Sequence, residues 1–547
     1  MPASARVLFL LAAALLGVVV RAADEPVPAP VPAPPVAPVT PLLPEKNVCA
    51  DAAQPVALGS VQWNGWGRDT DNTRYQPEPA IRAMDVPKLG LKWAFGFQGG
   101  GNAGQPTAVD GRLFVASSAG RVYALDAKAG CTYWTYDVPA GGSTAISIGE
   151  LGQSKRAAIP RKLKRTLAHL DVIKAPSAAF FGDDSGMVYA VDAQKGTLIW
   201  KTRVDTHPSA RIVGAPTLNS DHLFVAVGSN EDKMSATAGY GCCTFRGSVV
   251  ALDIATGHVV WKSYTVLEEP QATRKNGAGV QEFGPAGAAI SSSPTIDTKR
   301  GVLYVTTGGS ATGIPQSLTN AVVAFDLNDG KLRWVKQLEA AGGAAGGFIS
   351  SPVLRTLGSG NQIILAGQLS GMVYGLDPDH GGEILWKAGG GTAANGVPNT
   401  GAGGVAWGFA ADYKNLYVAD SGRLAEPSNA AGSLTAMDLK TGVVRWNTRA
   451  PEPACSWGAE NCWHGQSQAV TVMPGGAFSG SLDGHLRVYS TIDGKILWDF
   501  DTAKAFQTQN GVHAAGGPLD RGGATIVNGS VFINSGNALL AFSVGGK

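Results

Sequence analysis

Two cysteines stand side by side at Cys242-Cys243, and four more lie at Cys49, Cys131, Cys455 and Cys462. An even number of cysteines in an oxidising compartment reads as a set of disulfides, here three. Cys455 and Cys462 are close enough to close a short local loop. Cys49 with Cys131 would tie the start of the folded region to its first complete repeat, and such a bridge contributes about 2–4 kcal/mol. The remaining pair is adjacent. Neighbouring Cα atoms lie about 3.8 Å apart across a trans peptide, less than disulfides prefer, so a bond between them is strained and suggests a role beyond stability. Other chemistries are excluded. Cys462-Trp463-His464 lacks the Cys-x-x-Cys-His spacing for covalent haem, which occurs nowhere in the chain. His207, His464, His485 and His513 show no pairing consistent with a zinc site. A formal charge of +2 gives no reason to expect nucleic acid. The basic cluster Lys155, Arg156, Arg161, Lys162, Lys164 and Arg165 reads as a solvated loop, with a docking patch for an acidic partner as the alternative.

The elements that hold these residues begin after an export signal. Arg6 precedes the uninterrupted apolar run Val7 to Val20, and Val20-Arg21-Ala22 suits a signal peptidase, so residues 1–22 read as a signal peptide. The run is too short to span a bilayer comfortably, and no cysteine follows it to carry a lipid. Residues 23–46 are Pro-rich and read as an extended spacer. The folded domain is expected over 47–547, periplasmic or secreted, with no transmembrane helix in the mature chain.

High counts of glycine (73) and tryptophan (13) with short apolar runs suggest an all-β chain of many tight turns. An eleven-residue pattern makes this specific: Ala124-x-Asp126-x3-Gly130-x3-Trp134. It recurs at Ala190/Asp192/Gly196/Trp200, Ala251/Asp253/Gly257/Trp261, Ala324/Asp326/Gly330/Trp334 and Ala436/Asp438/Gly442/Trp446. A copy with one extra residue has Asp377, Gly382 and Trp386, and Gly494 with Trp498 makes seven. Each copy follows an alternating apolar segment such as Leu223-Phe-Val-Ala226, so the unit reads as strand, turn, strand, tight turn, strand. The tryptophans read as core between units, not as chemistry. The eighth unit is split: Leu91-Lys-Trp93-Ala-Phe95 supplies the strand missing after Ala541 to Lys547. Joining the two closes an eight-bladed β-propeller with no open edge.

The eleven-residue pattern is similar to the repeat of the PQQ-dependent quinoprotein alcohol dehydrogenases. Longer segments resemble the polyvinyl alcohol dehydrogenases among them: Trp63-Asn-Gly-Trp-Gly-Arg-Asp-Thr-Asp-Asn-Thr-Arg-Tyr75, Cys242-Cys-Thr-Phe-Arg-Gly-Ser-Val-Val-Ala-Leu-Asp253 and Phe478-Ser-Gly-Ser-Leu-Asp-Gly-His-Leu-Arg487. The resemblance covers essentially the whole domain. It implies oxidation of alcohols, secondary or polymeric, with PQQ and calcium at one mouth of the propeller and electrons passed to a separate, soluble cytochrome c. Such chemistry needs a carboxylate to take the hydroxyl proton, a cation to polarise the quinone and flat partners for its ring. The resemblance places Cys242–Cys243 on one cofactor face and Arg246 on a PQQ carboxylate. It also places Thr144, Arg211 and Trp407 beside the cofactor, and Glu231 as a calcium ligand.

Other positions depart from the family pattern, and they lie where the chemistry is. Ser291-Ser-Ser293-Pro294 lacks the tryptophan expected before Ser-Ser-Pro, and Thr307-Gly-Gly-Ser310 lacks the calcium-binding asparagine. The stretch from Val335 to Gly347, expected to carry the catalytic aspartate, is Ala/Gly-rich with Glu339 as its only acid. Leu369 replaces a basic residue, and the last glycine-rich loop is cut short at Ser535-Gly-Asn537. Five losses at one mouth imply weak or absent activity, and they leave the catalytic base unnamed. The alternative reading is a non-catalytic propeller that binds a protein or glycan at the cell envelope.

Overall fold

A flat indole needs a flat seat, and the glycine of the eleven-residue pattern provides one at seven of the eight joints between blades. The computed structural model describes residues 42–59, 62–101, 104–142, 144–151, 176–237, 239–338, 347–389, 404–422, 432–452, 455 and 463–547. Blade one is a four-stranded antiparallel sheet running outward from the axis through Thr107–Val109, Arg112–Ala116, Arg121–Asp126 and Thr132–Asp137. The Asp of the pattern ends the third strand, and its carboxylate accepts the backbone N–H groups that follow. Asp126 takes those of Lys128 and Ala129 at 2.9 and 2.6 Å. The Gly closes the turn in the left-handed region, with φ of 70° at Gly196 and 71° at Gly257.

That glycine has a second duty. A Cβ on Gly196 would stand 2.6 Å from the Trp134 ring, and one on Gly257 equally close to Trp200. The indole of one blade therefore lies on the bare glycine of the next. Its N–H then donates to the carbonyl of the residue after the Asp: Trp134 to Ala193 at 3.0 Å, Trp200 to Ile254 at 2.9 Å, Trp386 to Leu439 at 3.0 Å. Each such buried ring contributes about 1.5–3 kcal/mol. Where the fifth copy carries its extra residue, Gly382 meets the far edge of the Trp334 ring instead.

The ring closes as the split unit requires. Leu89–Gly96 pairs antiparallel with Ala538–Val544, from Leu89↔Val544 to Gly96↔Ala538. The seating of rings continues across this joint. Trp498 of blade seven donates to the Leu89 carbonyl at 3.0 Å, and Trp93 lies against Gly130 of blade one.

One sequence motif proves to be architecture. The segment 63–76 laps the inside of the ring, meeting the innermost strands in blade order. Trp63 exchanges backbone hydrogen bonds with Ala108 of blade one at 2.9 and 2.8 Å. Asn64 pairs its amide with Ile148 of blade two at 2.7 Å in both directions. Thr70, Asp71 and Thr73 accept from Ile296, Leu354 and Ala411 of blades four, five and six. Gln76 then donates to Val472 of blade seven and, through its side chain, to Ile526 of blade eight, each at 2.8 Å. Arg74 is buried and donates to Val470, Trp66 and Thr471 while lying beside the Trp63 and Trp66 rings. Burial lowers its guanidinium pKa to about 9.

The Cys49–Cys131 disulfide is formed and fixes the strand-like segment around Val48 to the outer strand of blade one. Cys455 is disulfide-bonded, and its expected partner Cys462 lies outside the described residues. So do residues 1–41, the basic cluster at 155–165 and Glu339. No helix among the described residues is long and apolar enough to cross a membrane.

The double duty of the turn glycine is testable. Gly111 and Gly196 both have positive φ, but a Cβ at Gly111 meets nothing within 4 Å. Gly111→Ala should cost about 1 kcal/mol from backbone strain alone. Gly196→Ala should cost a further ~1–3 kcal/mol as the indole is displaced. Equal losses in urea melts of the two variants would show that the indole seat contributes nothing.

Candidate functional site

Antiparallel order within each blade sends two kinds of connection to one mouth: those joining second to third strands, and those leaving an outer strand for the next blade. In blades one, two, five and seven the first kind is a tight turn, as at Asp183–Gly186. Asp183 caps that turn, accepting from Ser185 N and Oγ, Met187 N and the Tyr189 hydroxyl at 2.8–3.0 Å. Blades three, four and six have more residues between these strands, 230–247, 307–320 and 421–432, of which 238 and 423–431 lie outside the described residues. Glu231, Cys242, Cys243 and Arg246 lie in the first of these. Thr144, Arg211 and Trp407 lie on connections that enter blades two, three and six. The topology thus brings all seven to the same mouth.

The adjacent cysteines are bonded to each other. Their peptide is cis and the Cα atoms are 3.0 Å apart, so the trans spacing expected from sequence is corrected: a cis bond folds both Cα atoms to one side. Cys243 is buried and Cys242 half-buried. Backbone bonds from Cys243 N to Phe283 O (3.2 Å) and from Phe283 N to Cys242 O (2.9 Å) pin the pair to the hairpin Gln271–Lys275/Gln281–Gly284.

Glu231 is the other pin. It is 2% exposed, and its carboxylate accepts from Thr244 N at 2.8 Å, Phe245 N at 2.9 Å and the Tyr240 hydroxyl at 2.9 Å. These three donors leave it holding the cysteine loop closed. Burial and the Glu231 charge push the Tyr240 phenol well above its ordinary pKa. His207 packs alongside, with Nε2 2.9 Å from Thr244 Oγ1 and Nδ1 2.8 Å from Ser209 Oγ. Burial pulls its pKa down despite Glu231 and Asp205 nearby.

The two arginines are placed as exchangeable anion binders. Arg246 stacks 3.9 Å from the Tyr264 ring centroid and pairs with the exposed Glu269 at 2.5 Å. Arg211 forks onto Asp184 at 2.6 and 3.2 Å. In both cases a carboxylate of a bound molecule could replace the side-chain carboxylate with the same geometry. Thr144 is buried, its hydroxyl accepting from Gly182 N at 3.1 Å. Trp407 is half-buried with Arg521 5.3 Å from its ring, and its indole N–H is covered without an acceptor.

These groups suit a flat polyanionic quinone: a disulfide ledge, two guanidinium groups and the face of an indole ring. They do not suit calcium. Glu231 is committed to three protein donors, and no group of three or more His, Cys, Asp or Glu side chains among the described residues could hold a metal. Two residues past the serine at the missing tryptophan, Ser293 knits blades together: its Oγ accepts from Ala215 N at 2.8 Å, and its N–H donates to Ser351 Oγ at 2.9 Å. Ile290, just before that serine, is buried in core.

An acid that motif reading passed over lies at this mouth. Asp420 ends the second strand of blade six, is 7% exposed, and has its pKa pushed up to about 7 by burial, with only the Gly422 N–H opposing. Its signal in the sequence is faint: Ala419-Asp-Ser-Gly422 sits in register with Gly182-Asp-Asp-Ser185 of blade two, which only the strand pairing reveals.

Comparison with known proteins agrees with this geometry. A family model described as glucose/ethanol/alcohol dehydrogenase, beta-propeller domain, matches residues 63–385, and one described as outer membrane protein assembly factor BamB matches 370–544. A polyvinylalcohol dehydrogenase of a Pseudomonas species is 39% identical over 534 residues, covering 91% of this chain and 80% of its own length. That of Sphingopyxis sp. (strain 113P3) is 37% identical over 542 residues, covering 91% and 79%. The quinohemoprotein alcohol dehydrogenase of Comamonas testosteroni shares the fold, with a TM-score of 0.63 at 18% identity over 89% of this chain and 81% of that one. On fold, sequence and family match together, the chain belongs to the PQQ-dependent quinoprotein alcohol dehydrogenase family of eight-bladed propellers.

Proposed function

We propose that this protein is a quinoprotein oxidoreductase that binds PQQ at the described mouth and oxidises secondary alcohol groups, including those of a polymer. The observation that carries this reading is the bonded Cys242–Cys243 pair, held at the mouth by Glu231 and flanked by Arg246. When bound, the quinone supplies a two-electron acceptor for hydride from the alcohol carbon. The chain's own residues do the positioning. The disulfide offers a ledge for one face of the ring, Arg246 and Arg211 take carboxylates, and Trp407 and Thr144 line the same mouth. Glu231 acts through the loop it holds, and no step runs through calcium.

Export belongs to the same reading, with residues 1–22 as signal peptide and 23–46 as spacer before the domain at 47–547. The disulfides support an oxidising compartment such as the periplasm. In this reading the electrons pass to a separate cytochrome c. A second reading, a non-catalytic envelope scaffold, is favoured by one observation: the metal-ligand position is closed by protein donors.

Two expected outcomes separate these readings. Purified oxidised protein titrated with PQQ and desalted should retain about one quinone per chain and support dye-linked alcohol oxidation. The Cys242→Ser/Cys243→Ser variant should retain little, with its circular dichroism unchanged. A folded wild-type protein that retains no quinone would leave the scaffold reading in place. Calcium provides the second check. Millimolar calcium should leave the melting temperature of the PQQ-loaded protein unmoved, whereas binding to the native state raises it by mass action. Glu231→Gln should cost about 1–3 kcal/mol, because an amide nitrogen cannot accept the N–H it would face. A calcium-dependent rise that Glu231→Gln abolishes would instead make Glu231 a metal ligand.

A further inference from the structure

Blade six departs from blade two at one position. The strand pairs Phe180↔Ala190 and Tyr417↔Ala436 are equivalent, which sets Asp183 and Asp420 at the same place three residues further on. In blade two the carboxylate caps a tight turn through four donors. In blade six the next strand starts only at Ser433, so no such turn follows, and among the described residues Asp420 has one donor, the Gly422 N–H at 3.1 Å. It remains buried all the same. A carboxylate withdrawn from water with one hydrogen bond is short of partners.

A donor short of an acceptor lies on the adjoining connection. The Trp407 indole N–H is covered and has none. The two segments are tied together, since Ser421 donates through N and Oγ to the Gly404 carbonyl at 3.2 and 3.1 Å. Gly432 and Gly465 pack so closely on Asp420 and Ser421 that neither has room for a side chain. A hydroxyl group satisfies both unmet needs, donating to a carboxylate and accepting from an indole N–H.

Resting on the function proposed above, we infer that Asp420 and Trp407 form the site for the substrate hydroxyl, with Asp420 as its proton acceptor. This moves the acid from the segment after the fourth blade's tryptophan to blade six. In the reaction the substrate O–H bond breaks and its proton passes to the Asp420 carboxylate. The electron pair left on oxygen forms the C=O bond. The carbinol hydrogen leaves with its electron pair as hydride, reducing the quinone by two electrons. The proton on Asp420 then returns to solvent. Among the described residues, the other titratable and charged groups on the facing segments have partners of their own. His464 holds the Pro451 carbonyl at 2.9 Å, Asp520 accepts from Ser467 at 2.6 Å, and Arg521 lies over Trp407.

The test compares PQQ-loaded wild type with Asp420→Asn. Wild-type kcat/KM should rise with pH through about 7 and level off, since the acceptor must be ionised. Asp420→Asn should retain the quinone, lose about 10²- to 10⁴-fold in kcat and lose that limb of the profile. Trp407→Phe keeps the ring and removes the N–H, and should raise KM more than it lowers kcat. A readout independent of turnover is the infrared band of a protonated carboxylic acid. It should titrate away around pH 7 in wild type and be missing from Asp420→Asn. Wild-type rates and an unchanged profile in a quinone-loaded Asp420→Asn would overturn the assignment while leaving the proposed function standing. A folded wild type that takes up no quinone would remove both.

Discussion

Everything in this molecule depends on a planar indole resting on a residue with no side chain. Eight sheets arranged around an axis touch only along narrow wedges, and each wedge must be filled and oriented. At five of the eight joints the tryptophan does both at once, because its ring face covers the glycine and its N–H reaches a carbonyl beside it. Apolar contact alone would let blades slide, whereas the added directional bond fixes their relative height. With height fixed, the segments that carry Thr144, Arg211, Glu231, Cys242, Cys243, Arg246 and Trp407 meet at one mouth.

Within that mouth, charge is used for construction as much as for binding. Glu231 holds the loop of the Cys242–Cys243 ledge by gathering three donors, and its negative charge is answered by these hydrogen bonds. Arg246 and Arg211 are the reverse case, each holding a partly or largely exposed acid that solvent or a ligand can displace. Surface pairs of this kind contribute little to stability, so their loss on ligand binding costs little. The mouth is thus firm where it supports and exchangeable where it would grip.

Much of the fold was legible because its signals are local. The Asp and Gly of each turn, the Trp four residues on and the split eighth unit all follow from spacing along the chain, and the structure places them accordingly. The site was legible only as a list. That Thr144, Arg211, Glu231, Cys242, Cys243, Arg246 and Trp407 share one mouth follows from the order of strands, but what each touches does not. Glu231 matched a ligand position, while its actual donors come from Tyr240, Thr244 and Phe245, whose approach depends on the loop's path. The cis peptide left no mark on the sequence. Asp420 was missed because its peculiarity is relative: it is a turn cap whose turn has been replaced, visible only beside Asp183. The motif at 63–75 was read as a family signature, and its work inside the ring needed three dimensions.

That inner lap has a consequence for how the molecule comes into being. Residues 63–76 touch seven blades in sequence, and residues 89–96 pair with a strand some four hundred and fifty positions later. The earliest part of the domain to be synthesised is thus the last to find all its partners. Until the final blade exists, a tryptophan-rich segment and an open strand edge stand exposed, the condition under which chains associate wrongly. Such distant pairing also makes folding slow. For this architecture, the waiting time between first and last contact is therefore a property that selection must manage as closely as the final stability.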